Sequence, residues 1–475
     1  MAVRIRRDLW KLSAASDPAL EWYAKAVFAM KQLPATDPKS WWYQAGVHGH
    51  NLLLPVWHAL LPLPAGGERS TYWDQCQHGN WHFFSWHRIY LAVFEQLIGQ
   101  NVVALGGPAD WALPFWNYSD AGNAQATTLP PEFTAAAFAG MTPNPLLEPR
   151  LLGTAARPQL QAVDVALGAM GEPNFDSGPF GGSGFGGRRP GSAHHGGNMG
   201  ALESVPHGSV HVGVGGVMRD PDTAALDPIF WLHHSNIDRL WEKWLHDDAA
   251  HNNPTDPGWL NQLFDFRDQS GAAIQMKAAD VLDTTKVMGG YVYEGLPNAA
   301  GVLIQGDLDD MAQGDGAMAT TEVPEMVGAT ASPTALGGQA TNVDFELHRA
   351  SGPVASVLDA GTVPDVFLNF ENVTSKGLVD AYDVYVNVPD GDTPQQHPEQ
   401  LAGVLPMFGV VNASEKSRGG TGDGLHYTLR ITRLVESLWQ QNAWNWKHVY
   451  VTLVPREQPA GDANLKVGRI SVYLQ

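Results

Sequence analysis

The apolar positions of this chain change their rhythm about two thirds of the way along, from helical spacing in the first part to strand-like runs in the last. Residues 8 to 33 predict helix, with Asp17-Pro18 as a start signal and Leu20, Tyr23, Ala24, Val27 and Met30 keeping roughly helical intervals. Asp37-Pro38-Lys39-Ser40 then breaks the chain and caps a second helix from Trp41 to His50. Cys76 to Glu95 carries a helix that is apolar nearly all round (Phe83, Phe84, Trp86, Ile89, Leu91, Val93, Phe94). Asp227 to Trp241 carries another, with Ile229, Phe230, Trp231, Leu232, Ile237, Leu240 and Trp241. Helices without a polar face belong inside a core.

Between these helices, Asp110 to Tyr118 reads as a short buried strand or turn. Phe175 to Gly197 is a glycine-rich loop able to line or gate a pocket mouth. From Gln305 to about Asn342 small and acidic residues replace large apolar ones, the composition of a linker. Beyond it, Tyr382 to Val388, Gly403 to Val411, His426 to Thr432, His448 to Val454 and Gly468 to Leu474 predict strands. The expected architecture is a mainly α-helical domain over residues 1–305, a linker over 306–342, and an antiparallel β-sandwich over 343–475.

Composition narrows the partners. With 29 basic and 49 acidic side chains the formal charge is −20, which argues against nucleic acid and anionic membrane. The 17 tryptophans and 51 glycines imply an aromatic interior with many tight turns. One cysteine, Cys76, excludes an intramolecular disulfide. Arg6 and Arg7 are followed by no apolar stretch, since Asp8, Lys11, Asp17 and Glu21 interrupt it, and no transmembrane span is found. The cytoplasm is the expected location, with export by other means left open.

The histidines change the picture most. His207 and His211 stand at i and i+4, so a helix would present both imidazoles on one face, able to hold one metal ion. His233 and His234 are about 100° apart on their helix, so only one of them can join that ion. Earlier in the chain, His87 and Arg88 lie in an apolar helix where burial costs several kcal/mol unless each finds a partner. His78 lies on a Gly79-Asn80 turn, and His48 follows an apolar face. His82, at a helix start, reads as solvent-facing or a local hydrogen bonder; His194 and His195 read as residues of a floppy loop. Arg188 and Arg189 read as solvated.

The chain thus offers two histidine groups, His48, His78, His87 and His207, His211, His234. Imidazole suits zinc, copper, iron and nickel alike. A zinc hydrolase of the His-Glu-x-x-His kind is disfavoured because the helix reads H-G-S-V-H, without the general base.

The run from His78 to Leu91, H-G-x-x-x-F-x-x-W-H-R-x-Y-L, resembles the first copper signature of the tyrosinase, catechol oxidase and haemocyanin family. P-H-x-x-V-H at Pro206 to His211, followed by D-P-I-F-W-L-H-H-x-N-I-D-R-L-W from Asp227, resembles the second. The resemblance spans most of residues 1 to 300. It implies a central four-helix bundle carrying a type 3 dicopper centre, with His48, His78 and His87 on one copper and His207, His211 and His234 on the other. His233 becomes a neighbour of the site. The implied activity is that of a polyphenol oxidase, in which dioxygen is the co-substrate and o-diphenols are converted to o-quinones, with monophenols as lesser substrates. The alternative implied by the same histidines is haemocyanin-like reversible dioxygen binding without turnover; a single copper unit without repeats favours the enzyme.

Further residues match tuned positions of that family. Glu203, four residues before His207, corresponds to a carboxylate that positions a water to deprotonate phenols. Gly208 stands where many monophenol hydroxylases carry Asn, which favours diphenols over monophenols. Cys76, two residues before His78, resembles the cysteine whose sulfur is joined to a ring carbon of a copper-ligating histidine. Gly289-Gly290-Tyr291-Val292-Tyr293 resembles the Tyr-x-Tyr that closes the catalytic domain. The segments Y-D-V-Y-V-N-V, L-P-M-F-G-V-V, V-Y-V-T-L-V-P and G-R-I-S-V-Y-L resemble the shielding domain of latent plant polyphenol oxidases. That implies a zymogen whose site is plugged by a loop such as the one bearing Met407 and Phe408. Small phenols are the expected partners; a copper chaperone and self-association stay open.

Overall fold

A computed structural model describes residues 3–176, 182–189, 194–297, 324–348, 364–444, 446–459 and 462–475. These fall into two compact units: Met1–Gln77, His82–Leu167 and Gly213–Gln313 in the first; His78–Trp81, Gly168–Val212 and Gly314–Gln475 in the second.

The first unit is helical: α1 (Leu9–Ala14), α2 (Pro18–Lys31), α3 (Trp41–His48), the short α4 (Pro55–His58) and α5 (Gly66–Tyr72), then α6 (Phe83–Ala104). After α7 (Ser209–Val214), where the chain crosses back from the second unit, come α8 (Pro228–Asp247) and α9 (Pro257–Leu260). The segment predicted as one helix over 8–33 is two, because the Asp17 side chain accepts the Ala19 N–H and starts α2 afresh. The helix expected to reach His50 stops at His48, where Gly49 turns extended.

The long helix α6 packs between α2 and α8, as its all-round apolar character requires. Its buried cation is satisfied: Arg88 donates to Asp238 of α8 at 2.5 Å and pairs with Glu242 at 2.7 Å. Asp238 also accepts from Arg6 at 3.3 Å and from the Tyr291 and Tyr293 hydroxyls, each at 2.6 Å. Strand β1 (Arg4–Arg6) runs parallel to β4 (Tyr291–Tyr293), so the two ends of the unit meet on one buried carboxylate. Replacing Asp238 would take a buried carboxylate from Arg6 and Arg88 together, and breaking a buried ion pair in this way costs about 3–5 kcal/mol. A hairpin of β2 (Leu263–Arg267) and β3 (Ala273–Lys277) lies beyond α9. Asp110 to Tyr118 is a buried turn tied to the N-terminus by Leu9 N–H donating to the Phe115 carbonyl at 2.8 Å.

In the second unit, β5 (Glu325–Ala329), β6 (Thr334–Ala335), β7 (Thr341–Glu346), β8 (Val366–Thr374), β9 (Tyr382–Val386), β10 (Leu401–Leu405), β11 (Leu425–Arg430), β12 (His448–Pro455) and β13 (Lys466–Leu474) build two antiparallel sheets. Their orders are β10-β9-β12-β7 and β11-β8-β13-β5, with β6 on β13. Val384, Val451 and Leu453 of one sheet share a core with Leu368, Phe370, Ile470 and Val472 of the other, which makes a sandwich. The linker expected over 306–342 differs from this: residues 306–323 lie outside the described residues, while β5, β6 and the start of β7 occupy 325–342. Only Val327 of β5 and Phe345 of β7 are deeply buried, so these edge strands carry too few apolar residues to be recognised. The strand expected over Gly403 to Val411 ends at Leu405, and α10 (Val410–Ser414) follows a tight turn; α11 (Thr432–Gln440) follows β11.

The same unit holds residues 168–212, and main-chain bonds tie them to the sandwich. His195 N–H donates to the Gly419 carbonyl at 3.1 Å, and His426 N–H donates to the Gly197 carbonyl at 2.7 Å. Parts of the glycine-rich stretch 175–197, residues 177–181 and 190–193, lie outside the described residues.

Candidate metal centre

In the first unit α3, α6 and α8 bring three predicted histidines together. The His87 and His234 rings stack 4.6 Å apart and 10° from parallel, and His48 lies 5.7 Å from His87 and 6.1 Å from His234. Phe230, one turn before His234, packs on both His48 and His234. His48 is wholly buried, and His87 and His234 nearly so.

Local hydrogen bonds decide which ring nitrogen faces outward. His48 Nδ1 lies 2.9 Å from the Pro221 carbonyl, and His87 Nδ1 lies 2.7 Å from the Phe83 carbonyl one turn back. A carbonyl can only accept, so Nδ1 carries the proton and Nε2 keeps its lone pair. Burial pushes His48 down to about 4 and His87 well below its ordinary value, so both are neutral at pH 7. Neutral imidazoles with one fixed nitrogen are the donors that copper or zinc requires. The His233 ring lies between its neighbours, 5.1 Å from the His234 ring and 5.6 Å from that of Tyr118.

In the second unit, His78, His207 and His211 form a matching trio. His207 packs 4.6 Å from His211 and 5.6 Å from His78. His207 Nδ1 lies 3.0 Å from the Glu203 carbonyl, which repeats the pattern of His48 and His87. The i and i+4 spacing is realised through an irregular helical turn, Glu203–Gly208, that runs into α7 with Val205 extended inside it. His78 is fixed through its main chain: its N–H donates to the His194 carbonyl at 2.9 Å, and its carbonyl accepts from Gly196 at 2.8 Å. Gly79, next to it, has φ +61, and a Cβ there would strike the main chain at Gly197.

Glu203 is completely buried. Its Oε1 accepts the Gly79 N–H at 2.7 Å, and Oε2 has no hydrogen-bond partner among the described residues. Burial raises its carboxyl to about 8 in spite of main-chain donation from Gly79 and Gly200. Gly208 faces the turn after β10, since a Cβ there would lie 3.1 Å from Pro406 Cγ. Phe408 lies on His211, with centroids 4.0 Å apart and planes 16° from parallel, and edge-on to His207 at 5.4 Å and His78 at 5.6 Å. Met407 instead belongs to the sandwich core, and its N–H donates to the Tyr427 hydroxyl at 3.1 Å.

Two sequence expectations need correction. His82 is buried and packs against Trp259 and Phe264, with burial lowering it to about 4, because α9 and β2 cover the start of α6. His195 is equally buried, stacked on His78 at 5.6 Å and 6°. A glycine-rich context concealed its pairing with Gly420. Cys76 is a buried thiol at the end of the first unit, two residues before the chain enters the second at His78.

Each of the two ligand sets implied by sequence draws on both histidine trios. The chain matches the model of the common central domain of tyrosinase over residues 38–171 and 175–247, the polyphenol oxidase middle domain over 253–300, and a domain of unknown function over 323–475. Tyrosinase HcTyr1 of Hahella sp. (strain CCB-MM4) is 34% identical over 487 residues, covering 99% of each protein. Polyphenol oxidase A1, chloroplastic, of Vicia faba is 30% identical over 301 residues, 58% of this chain and 46% of that one. The structure of latent apple tyrosinase superposes with a TM-score of 0.64 at 21% identity, covering 100% of this chain and 98% of that one, a likeness of fold. No helix among the described residues is long and apolar enough to cross a membrane.

Proposed function

The chain belongs to the tyrosinase family and is a copper polyphenol oxidase, and on that premise we propose that it oxidises o-diphenols to o-quinones with dioxygen, more readily than it hydroxylates monophenols, and that it is latent until its C-terminal sandwich is displaced. We assign His48, His78 and His87 to one copper and His207, His211 and His234 to the other. The observation that carries the assignment is the shared tautomer of His48, His87 and His207, in which a main-chain carbonyl holds Nδ1–H and leaves Nε2 as donor.

The copper pair supplies two-electron exchange between dioxygen and a catechol. The protein's own residues supply the rest. Carbonyl-anchored imidazoles fix the donor directions before any metal arrives, so little reorganisation is needed when it binds. Phe230 and Phe83 against the first trio keep water from it. Glu203, with Oε1 held by Gly79 and its carboxyl raised to about 8 by burial, is set to exchange a proton with a phenol through a water, accepting it in its ionised fraction. Gly208 places no polar group beside His207, which supports preference for diphenols. The flat contact of Phe408 on His211 occupies the place where an aromatic substrate would lie, and this supports latency.

Copper content and oxygen uptake, with a catechol and then a monophenol, before and after limited proteolysis within residues 306–323, test the whole reading. Two coppers per chain, catechol-dependent uptake that rises on cleavage and slower monophenol turnover are expected. Equal catechol rates before and after cleavage would sink latency, and a metal other than copper would sink the ligand assignment.

A further inference from the structure

The turn after β10 reaches His211 only because nothing stands in its way at residue 208. Pro406 has its ring against the bare Cα of Gly208; a Cβ at 208 would lie 3.1 Å from Pro406 Cγ and 3.4 Å from its Cβ, with the Glu203 carbonyl at 3.4 Å on the other side. Both neighbours are stiff. Pro406 has its φ fixed by its ring, and the Glu203 carbonyl is engaged with His207 Nδ1. Past Pro406 the loop is pinned again: Met407 at φ +60 puts its side chain into the sandwich core and its N–H on Tyr427, its carbonyl accepts from Val410 at 3.2 Å, and Gly409 turns left-handed at φ +74. With Met407 fixed between them, a Pro406 pushed back by a few tenths of an ångström strains the turn that seats Phe408 on His211.

We propose that Gly208 is the seat of the C-terminal loop: the missing side chain lets Pro406 approach, and through it lets Phe408 cover His211. A side chain at 208 then pushes Pro406 back by a few tenths of an ångström and loosens the Phe408 contact without a cut in the chain, so one position bears both on what surrounds the substrate and on latency. This rests on the latency reading above, but the contact itself can be tested apart from it.

The test is hydrogen exchange of peptides covering residues 401–411 in the copper-loaded full chain, for wild type, Gly208→Ala, Gly208→Asn, Pro406→Ala and the double variant Gly208→Ala/Pro406→Ala. Exchange of the 407–409 amides is expected to accelerate roughly 5- to 30-fold in the two Gly208 variants, the effect of one or two kcal/mol. The ratio of cleaved to uncleaved catechol rate should fall in parallel. In the Pro406→Ala background, Gly208→Ala should add nothing, because the atom it strikes is gone. Unchanged exchange in both Gly208 variants overturns the proposal, and so does an effect of equal size with and without the proline ring. If the uncut wild type already works at the cut rate, latency fails, and the exchange pattern still decides whether Gly208 seats the loop.

Discussion

The phenyl ring of Phe408 lies face to face with the imidazole of His211, 4.0 Å between centroids and 16° from parallel. Phe408 is buried there, and burying such a ring is worth about 1.5–3 kcal/mol. Phe408→Ala should therefore raise catechol oxidation by the uncut chain roughly 10- to 100-fold, the kinetic equivalent of that energy. Met407→Ala should instead lower stability by about 2–5 kcal/mol through a cavity in the sandwich core. Oxygen uptake and denaturant unfolding separate the two. Identical uptake by wild type and Phe408→Ala would remove Phe408 from the role of plug.

Replacing one histidine of either trio should reduce copper without unfolding the chain. His87→Ala and His211→Ala are each expected to retain about one copper or fewer per chain and to lose catechol turnover. The contrast is His233→Ala, whose ring faces Tyr118 and which should keep both metals. Metal analysis after gel filtration distinguishes them. Chelation of copper from wild type should lower Tm, since a metal held only by the folded state stabilises it.

A thioether between Cys76 and His78 would form by loss of two hydrogens, one from the thiol and one from a ring carbon, with dioxygen, the co-substrate, as the two-electron oxidant. The intact mass of the copper-loaded chain should then fall short of the sequence mass by that amount, and Cys76→Ala should show its full calculated mass. Thiol labelling under denaturing conditions gives a second reading. Full labelling of Cys76 in active protein would rule the bond out.

Stability should carry a pH signature from Glu172. Burial raises this carboxyl to about 7, with Asp365 pushing the same way and Arg430 opposing. The folded chain thus holds the proton that the unfolded chain gives up near 4.5. The penalty is absent below that value, grows as pH rises to about 7, and stays constant above. Glu172→Gln should leave stability at pH 4 nearly unchanged and raise it at pH 8 by on the order of 2 kcal/mol. Urea unfolding at the two pH values measures it; an equal shift at both would mean that the carboxyl does not titrate as burial demands.

What the sequence made legible was whatever depends on local spacing. The i and i+4 pair His207 and His211, the all-apolar helices α6 and α8, and strands β9, β11, β12 and β13 all follow from periodicity within one element. The buried demand of Arg88 was readable too, though its partner Asp238, 150 residues away, was not. What stayed hidden depends on distant main chain. His195 looked mobile among glycines, yet those glycines are what allow the chain to pass close to Gly79 and Gly420. The edge strands β5 and β7 bury one side chain in several, so their composition matches a linker. The proximity of Gly208 to Pro406 spans almost 200 residues and leaves no periodic trace.

The order of synthesis adds one more consequence. Strand β13 comes after all of its sheet partners in the chain, yet it lies inside its sheet, between β8 and β5. While the chain emerges from the ribosome, β8 and β5 have no neighbour on their facing edges, and Phe370 and Leu368 wait uncovered. Such edges attract other nascent chains. Slower translation across residues 430–475 would prolong that exposure, so the yield of folded protein should depend on how fast β13 is delivered.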